Sequence, residues 1–455
     1  MRKLFALFCA LCVFVCATGC SKAPDKSNKD DPKAKVIVYD SKGETIASLS
    51  RIDFPDSELS DPSYRSYVTL ALSEAVQLFS ELYLCDTNEA AAKLFSVKHT
   101  LYTELDTQVH AAINTMYSLH INENISVGCS VVDYSGKVLA VFSGGDEQAA
   151  IMGHAPFSTI KPLSVYAPAM DKGLINWSTL INDRPYKQLP DETGKLQDWP
   201  QNPKLTYTYQ NTLIVDCIKQ SLNTTAVHCL KNLGVKNSID FLKNSFNINV
   251  DYENNKLTLK GEDEVIGNVA LGYLYQGITP ANLAGCYQIF GNGGKYIKPQ
   301  ALMKIESSGK TLYTFSPKPK QVISEDTAYL MNRMLSSVVS AGGTGQKARI
   351  EGVELIGKTG TGDSNGGNWF VGVTPQYSCA VWHSGNRNTT NKAAAMFTEI
   401  FENMPQHTVK NFNKSATVRK GVFCSESGMI FSDKCSHMQI GYYAQGNRPS
   451  DCTAH

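Results

Sequence analysis

The sequence has almost no charge imbalance: 43 basic and 42 acidic residues leave +1 over 455 positions. Without a basic excess it lacks the electrostatic footprint of a nucleic-acid-binding chain. Without an acidic excess it lacks that of a solvating or histone-like one. Charged residues are only 19% against 42% hydrophobic, which excludes wholesale disorder and supplies a packed core. No internal repeat is present, and length alone allows two or three domains. Close-paired cysteines of the C-x-x-C kind are absent from the polar tail, although the chain has 13 cysteines. Four of these, Cys9, Cys12, Cys16 and Cys20, lie in the first 20 residues, and most of the other nine sit inside apolar patterns as small core residues.

The N-terminus departs from the rest. Arg2 and Lys3 precede an apolar run from Leu4 to Val15, and Ala17-Thr18-Gly19-Cys20 follows. A run this short falls below the ~20 residues that span a bilayer. Basic start, apolar stretch and small residues make a secretory signal over 1–20, similar to a lipoprotein signal with Cys20 as the lipidated residue. An uncleaved membrane anchor is the alternative. Both put the remaining chain on the extracytoplasmic face of a bacterial cell membrane. Residues 21–35 hold no apolar side chain except alanine and read as a flexible tether.

Further on, Val36-Ile37-Val38-Tyr39 and Thr45-Ile46-Ala47 flank a turn and predict a hairpin. Tyr64 to Tyr83 has helical spacing, and Thr103 is a candidate cap for a helix through Val109, Ile113 and Met116. Ile125 to Phe142 predicts two strands, a helix follows Ser158, and strands return at 353–358, 369–373 and 377–382. Strands at both ends with helices between them predict an α+β domain.

Three motifs occur in order: Ser158-Thr159-Ile160-Lys161, Ser221-Leu222-Asn223 and Lys358-Thr359-Gly360. The first two also have matches elsewhere, at Ser307-Ser308-Gly309-Lys310, Ser245-Phe246-Asn247 and Ser384-Gly385-Asn386; Lys-Thr-Gly occurs once. Context separates them. Ser158 opens an apolar helical stretch with Lys161 one turn on, where a desolvated amine can take a serine proton. Ser307 sits in a turn with no helix behind it. Ser221 and Asn223 fall at a break in a helical stretch and can relay protons and bind an amide. Lys358 to Thr361 ends a strand whose backbone can pair with an extended peptide, and Gly360 allows close approach.

With these motifs on the page, the sequence resembles the transpeptidase domain of class A penicillin-binding proteins. The likeness extends through Trp199-Pro200-Gln201-Asn202, Gln220 to Val227, Gly277 to Pro280, Gly291 to Tyr296, Gly343-Thr344-Gly345 and Trp369 to Gly372. One departure is Phe157, where glycine is usual. The resemblance implies a penicillin-binding, β-lactamase-like fold: an antiparallel sheet covered by helices, plus a helical subdomain. It implies that Ser158 attacks the penultimate D-Ala carbonyl of a peptidoglycan stem peptide, that Lys161 accepts its proton, and that Ser221 relays a proton to the leaving amine. Asn223 would bind the peptide, Thr359, Gly360 and Thr361 would hold the substrate, and Lys358 would add charge. The N–H groups of Ser158 and Thr361 would form an oxyanion hole, in which one donor is worth ~3 kcal/mol. No cofactor and no metal enter this chemistry, and β-lactams are the expected inhibitors.

What the family has and this chain lacks also matters. About 65 residues separate Lys35 from Leu101, too few for the glycosyltransferase domain that precedes the transpeptidase in class A proteins. The expected organisation is therefore a short strand and helix linker region over 36–100, a transpeptidase domain over 101–405 and a Cys-containing extension over 406–455, with a separate glycosyltransferase as a possible partner. A β-lactamase would need a water-activating glutamate followed four residues on by asparagine, and Glu253 has Leu257 there. The alternatives to a D,D-transpeptidase are a D,D-carboxypeptidase or endopeptidase, and a non-catalytic sensor or scaffold. In the tail, Cys424, Cys435, Cys452 and His455 leave three readings open: free thiols, a Cys424–Cys435 disulfide, or a Cys3His zinc set. For the N-terminus, the expected result is that Cys20→Ser abolishes lipid modification and moves the chain from the detergent phase to the aqueous phase in a partitioning assay.

Overall fold

The structure, a computed structural model, describes residues 35–250, 261–362, 367–385, 391–405 and 411–454. The leader with Cys20, the tether, Glu253, Leu257, Asn386 and His455 lie outside the described residues. The strands used below are β1 (Val36–Tyr39), β2 (Thr45–Leu49), β3 (His99–Thr103), β4 (Val127–Asp133), β5 (Val138–Gly144) and β6 (Leu302–Ser307). They continue as β7 (Lys310–Thr314), β8 (Ile356–Thr361), β9 (Asn368–Val373), β10 (Tyr377–His383), β11 (Arg419–Cys424) and β12 (Met438–Tyr443).

The sheet that carries the site has five strands in the order β8-β9-β10-β4-β5, all pairs antiparallel. Both faces are covered, so β4, β5, β9 and β10 are mostly apolar and their side chains alternate between two cores. Phe370, Cys379 and Val381 face one core with Phe397 of the helix Lys392–Asn403 and Ile113 of Thr107–His120. Trp369, Val371 and Ala380 face the other, shared with Leu283 of Pro280–Tyr287 and Leu335 of Glu325–Val339. The α+β class and the helix-covered antiparallel sheet match the expectation, with the helical region at 157–171, 214–246 and 262–290.

The region read as a linker is instead built into a second five-stranded sheet of order β7-β6-β3-β1-β2. The predicted β1–β2 hairpin is present, and Asp40 Oδ1 closes its turn by accepting N–H bonds from Lys42 and Glu44, both at 2.8 Å. Strand β3 pairs parallel to β1 and antiparallel to β6, a strand some 200 residues later. Helix Arg65–Tyr83 pins this unit to the first sheet through Tyr67, whose hydroxyl donates to Val138 O at 2.8 Å. Glu74 on the same helix accepts from the N–H groups of Ala301 and Leu302 at 2.9 and 2.8 Å, and burial pushes its carboxyl up to about 7.

Two local expectations are corrected. Thr103 does not cap the following helix; it ends β3 and donates to Tyr39 O at 2.8 Å, while Asp106 caps Thr107–His120 by accepting from Gln108 and Val109. Nor does Ser158 open a regular α-helix. Phe157–Ile160 is a 3-10 turn, Pro162–Tyr166 a π-turn and Ala167–Asp171 one α-turn. Pro162 and Pro168 each lack the N–H that an i→i−4 ladder requires, so the ring closes instead from Ala167 N–H to Pro162 O.

The tail forms the hairpin β11–β12 and docks on the helical region. Trp177 meets Tyr442 edge-on at 4.9 Å, and Arg333 lies over the Tyr442 ring at 4.0 Å while donating to its hydroxyl at 2.8 Å. Among the described residues, no single helix is long and apolar enough to cross a membrane. Because β3 ties the N-terminal unit to β6, Leu101→Ala, at a fully buried position, is expected to lower stability by about 2–5 kcal/mol. It should lower the melting temperature of the whole chain in one transition, as measured by calorimetry.

Candidate active site

Ser158 is half-buried on the 3-10 turn, and the chain around it is held on every side. Phe157 N–H donates to Gly272 O at 3.2 Å, Tyr287 Oη to Thr159 O at 2.5 Å, and Trp369 Nε1 to Ala155 O at 2.9 Å. Phe157 stands at φ +47°, the left-handed region where glycine carries no penalty and another residue loses about 1–2 kcal/mol. Its ring packs edge-on to Tyr273 at 5.8 Å and against Gly362, where a Cβ would come within 2.7 Å of the ring. The departure from glycine therefore keeps the tight loop geometry and adds an aromatic contact to it.

The three motifs converge. Lys161, fully buried, donates from Nζ to Ser221 O at 2.9 Å, Leu222 O at 3.3 Å and Asn223 Oδ1 at 2.5 Å. Lys358, also fully buried, donates to Ser221 Oγ at 2.7 Å and to Thr359 O at 3.0 Å. Ser221 lies between the helices Ile214–Lys219 and Asn223–Leu233 at φ +55°, which turns its carbonyl to one amine and its hydroxyl to the other. The third contact is between the Ser158 turn and β8. A Cβ on Gly360 would meet Pro156 O at 2.8 Å and Thr159 Cγ2 at 3.0 Å, so only glycine lets the two segments touch. The other matches stay apart from this cluster: Ser307 ends β6 at the tight β6–β7 turn, with Ser308 at φ +49°, and Asn247 caps the helix Val235–Phe246.

Electrostatics give the two amines their character. Among the described residues neither lysine forms an ion pair. Burial holds the Lys161 amine well below its usual range, and the neighbouring charge of Lys358 lowers it further. Burial pushes Lys358 down to about 7. A depressed amine gives up its proton more readily than an ordinary lysine, and Ser221 links the two amines, its carbonyl accepting from Lys161 and its hydroxyl from Lys358.

Motif reading alone missed a supporting layer. Asp183, buried, accepts from Thr224 Oγ1 at 2.6 Å, Asn202 Nδ2 at 2.7 Å and Thr208 N–H at 2.9 Å. Burial alone would raise its carboxyl, but these donors hold it below the usual range. Asn202 Oδ1 in turn accepts from Asn223 N–H at 2.9 Å, while Asn223 Nδ2 donates to Gln201 O at 2.6 Å. The Trp199 to Asn202 segment thereby orients the Asn223 amide. On the strand side, Thr359 Oγ1 donates to Thr344 Oγ1 at 2.8 Å, which gives Gly343-Thr344-Gly345 its place beside the site. Asp183 has no signal in the sequence, because its partners lie about 20 to 40 residues away.

A serine on a rigid turn, a buried amine held below its usual range and a hydroxyl that accepts from a second buried amine make a site suited to acyl transfer on an α+β scaffold. The profile described as "Penicillin binding protein transpeptidase domain" matches residues 129–404, and the chain belongs to that family. It is 30% identical to "Penicillin-binding protein 1A" of Clostridium tetani over 368 residues, 74% of this chain and 45% of that protein. It is also 30% identical to "Penicillin-binding protein 1A/1B" of Bacillus subtilis over 322 residues, 64% of this chain and 33% of that one. The chain thus spans less than half the length of these curated relatives. The crystallised D,D-transpeptidase domain of a peptidoglycan glycosyltransferase from Eggerthella lenta superimposes with a TM-score of 0.60 at 18% identity. That superposition covers 82% of this chain and 98% of that domain, a likeness of fold.

The Lys358 amine gives a signed pH dependence. Its folded value near 7 lies below the ~10.5 of an unfolded lysine, so between these limits the native state binds fewer protons and stability rises with pH. The penalty is fully present below about pH 7 and gone above about pH 10.5. Lys358→Met is therefore expected to gain most over wild type at acid pH. The advantage should shrink by up to about 1.4 kcal/mol per pH unit as pH rises through the window, read from urea midpoints.

Proposed function

We propose that the protein is a D,D-transpeptidase that cross-links peptidoglycan stem peptides through an acyl-enzyme on Ser158. The observation that carries this reading is the convergence on Ser221 of two buried amines, one from each flanking motif, beside the Ser158 turn. Ser158 Oγ attacks the penultimate D-Ala carbonyl while its proton passes to neutral Lys161 Nζ. The oxyanion forms between the N–H groups of Ser158 and Thr361, the two segments that meet at Gly360. Collapse breaks the peptide bond, and Ser221 Oγ, hydrogen-bonded to Lys358, relays to the departing D-Ala amine the proton that Lys161 had accepted, so Lys161 is free to act again. Asn223 holds the donor peptide amide, and Thr359, Gly360 and Thr361 hold its carboxylate and backbone. An acceptor amine then attacks the ester, Lys161 takes its proton and passes it to Ser158 Oγ as the ester C–O bond breaks, and the serine hydroxyl is restored. β-Lactams enter by the same first step and leave a slowly hydrolysed ester, because no carboxylate base takes part.

In this reading residues 101–405 act as the transpeptidase domain and 406–455 as an extension. Cys20 is the lipid anchor that keeps the enzyme on the extracytoplasmic face of the membrane. Glycan strands come from a partner glycosyltransferase. The test is covalent labelling with a fluorescent penicillin. Ser158→Ala is expected to abolish the label, and Ser307→Ala to keep it. Peptide donors should give product that rises sharply when an amino acceptor is added. Labelling that survives Ser158→Ala overturns the nucleophile. Rapid catalytic hydrolysis of penicillin indicates a β-lactamase, donor hydrolysis indifferent to acceptor a carboxypeptidase, and labelling with no peptide turnover a sensor.

A further inference from the structure

Three thiols that the acyl-transfer chemistry does not use meet in the tail. Cys424 ends β11, Cys435 lies in the loop beyond it and Cys452 follows near the C-terminus, yet their sulfurs all lie within 4.8 Å of one another. Backbone hydrogen bonds bring these separate stretches together: Cys424 N–H to Met429 O at 2.8 Å, Cys435 N–H to Ser432 O at 3.1 Å, and Cys452 N–H to Ile430 O at 2.7 Å. All three cysteines are buried. Polar hydrogens also reach the sulfurs. Ser432 N–H donates to Cys435 Sγ at 3.4 Å, and Ser427 Oγ lies 3.2 Å from Cys452 Sγ. Donors aimed at sulfur suit a thiolate ligand.

We propose that Cys424, Cys435 and Cys452 bind one Zn2+ as thiolates and so hold the tail in its fold. Tetrahedral zinc with Zn–S near 2.3 Å sets its sulfurs about 3.8 Å apart, a spacing this trio reaches through small side-chain movements. A disulfide must bring two sulfurs to about 2.05 Å and leaves the third without a partner. An odd cluster of thiols is better matched to a soft divalent ion. Binding releases the three thiol protons to solvent. The fourth corner is open to water, since no fourth His, Cys, Asp or Glu among the described residues joins the group. The tail needs such a tie, because among the described residues its own apolar core is just Phe423, Ile430 and Tyr443. The metal would also fix the loop carrying Gly428, whose carbonyl accepts from Ser178 Oγ at 2.5 Å on the helical region.

The test uses the purified full chain, handled without reductant. Elemental analysis is expected to give about one zinc per chain. Cys424→Ser, Cys435→Ser and Cys452→Ser should each remove it, and Cys85→Ser, outside the cluster, should keep it. Stripping with a chelator should lower the melting temperature, and Zn2+ alone should restore it. Should a serine variant fail to fold, Co2+ added to the stripped wild type serves instead: a thiolate-to-cobalt charge-transfer band supports the site, and its absence overturns it. Alkylation of denatured, chelated wild type should modify all three thiols. Two of the three resisting alkylation until reduced, with no zinc present, overturns the proposal in favour of a disulfide. None of these readouts depends on Ser158, so failure here leaves the transpeptidase reading untouched.

Discussion

Two lysine amines held on one serine, away from water and without a carboxylate, make the constraint that organises this molecule. An ammonium group loses several kcal/mol on burial unless it is paired or gives up its proton. Here Lys161 and Lys358 spend their hydrogen bonds on the carbonyls of Ser221, Leu222 and Thr359, the amide oxygen of Asn223 and the hydroxyl of Ser221. Those acceptors satisfy donors without neutralising a charge, so both amines stay below their usual range. Replacing one acceptor by a carboxylate would strengthen the packing electrostatically and lock the neighbouring amine as a cation, removing its use as a base.

The surrounding architecture keeps that arrangement rigid. Ser221 must remain in a left-handed conformation, and the helices Ile214–Lys219 and Asn223–Leu233 fix it from both sides. Asn202, which donates to Asp183, then accepts from the Asn223 backbone N–H, while Gln201 O accepts from the Asn223 side-chain amide. Across the site, β8 is an edge strand of its sheet, with β9 on one side and no strand pairing with its other side among the described residues. Contact between that edge and the Ser158 turn depends on Gly360. The strained Phe157 shows that a tight turn of this shape tolerates a residue other than glycine when its ring finds Tyr273 and the space beside Gly362.

The sequence by itself determined the class of the fold, the order of the three motifs and the residues that carry them. Their signals are local: short apolar runs in β4, β5, β9 and β10, helical spacing over Arg65–Tyr83, and short motifs set apart from their look-alikes by their flanks. It also marked the turn closed by Asp40. Other features were decided only in three dimensions, since they join residues far apart in the chain. The predicted β1–β2 hairpin was legible, but that β3 joins it to a five-stranded sheet was not, because the partner β6 lies some 200 residues on. The cap at Asp106 rather than Thr103 was decided by Thr103 finding a carbonyl in β1. The broken helix after Ser158 follows from two prolines whose missing donors had to be compensated elsewhere. Asp183, the depressed amines and the meeting of Cys424, Cys435 and Cys452 likewise came from tertiary structure. Burial and the approach of distant groups set these properties, and spacing along the chain carries no record of either.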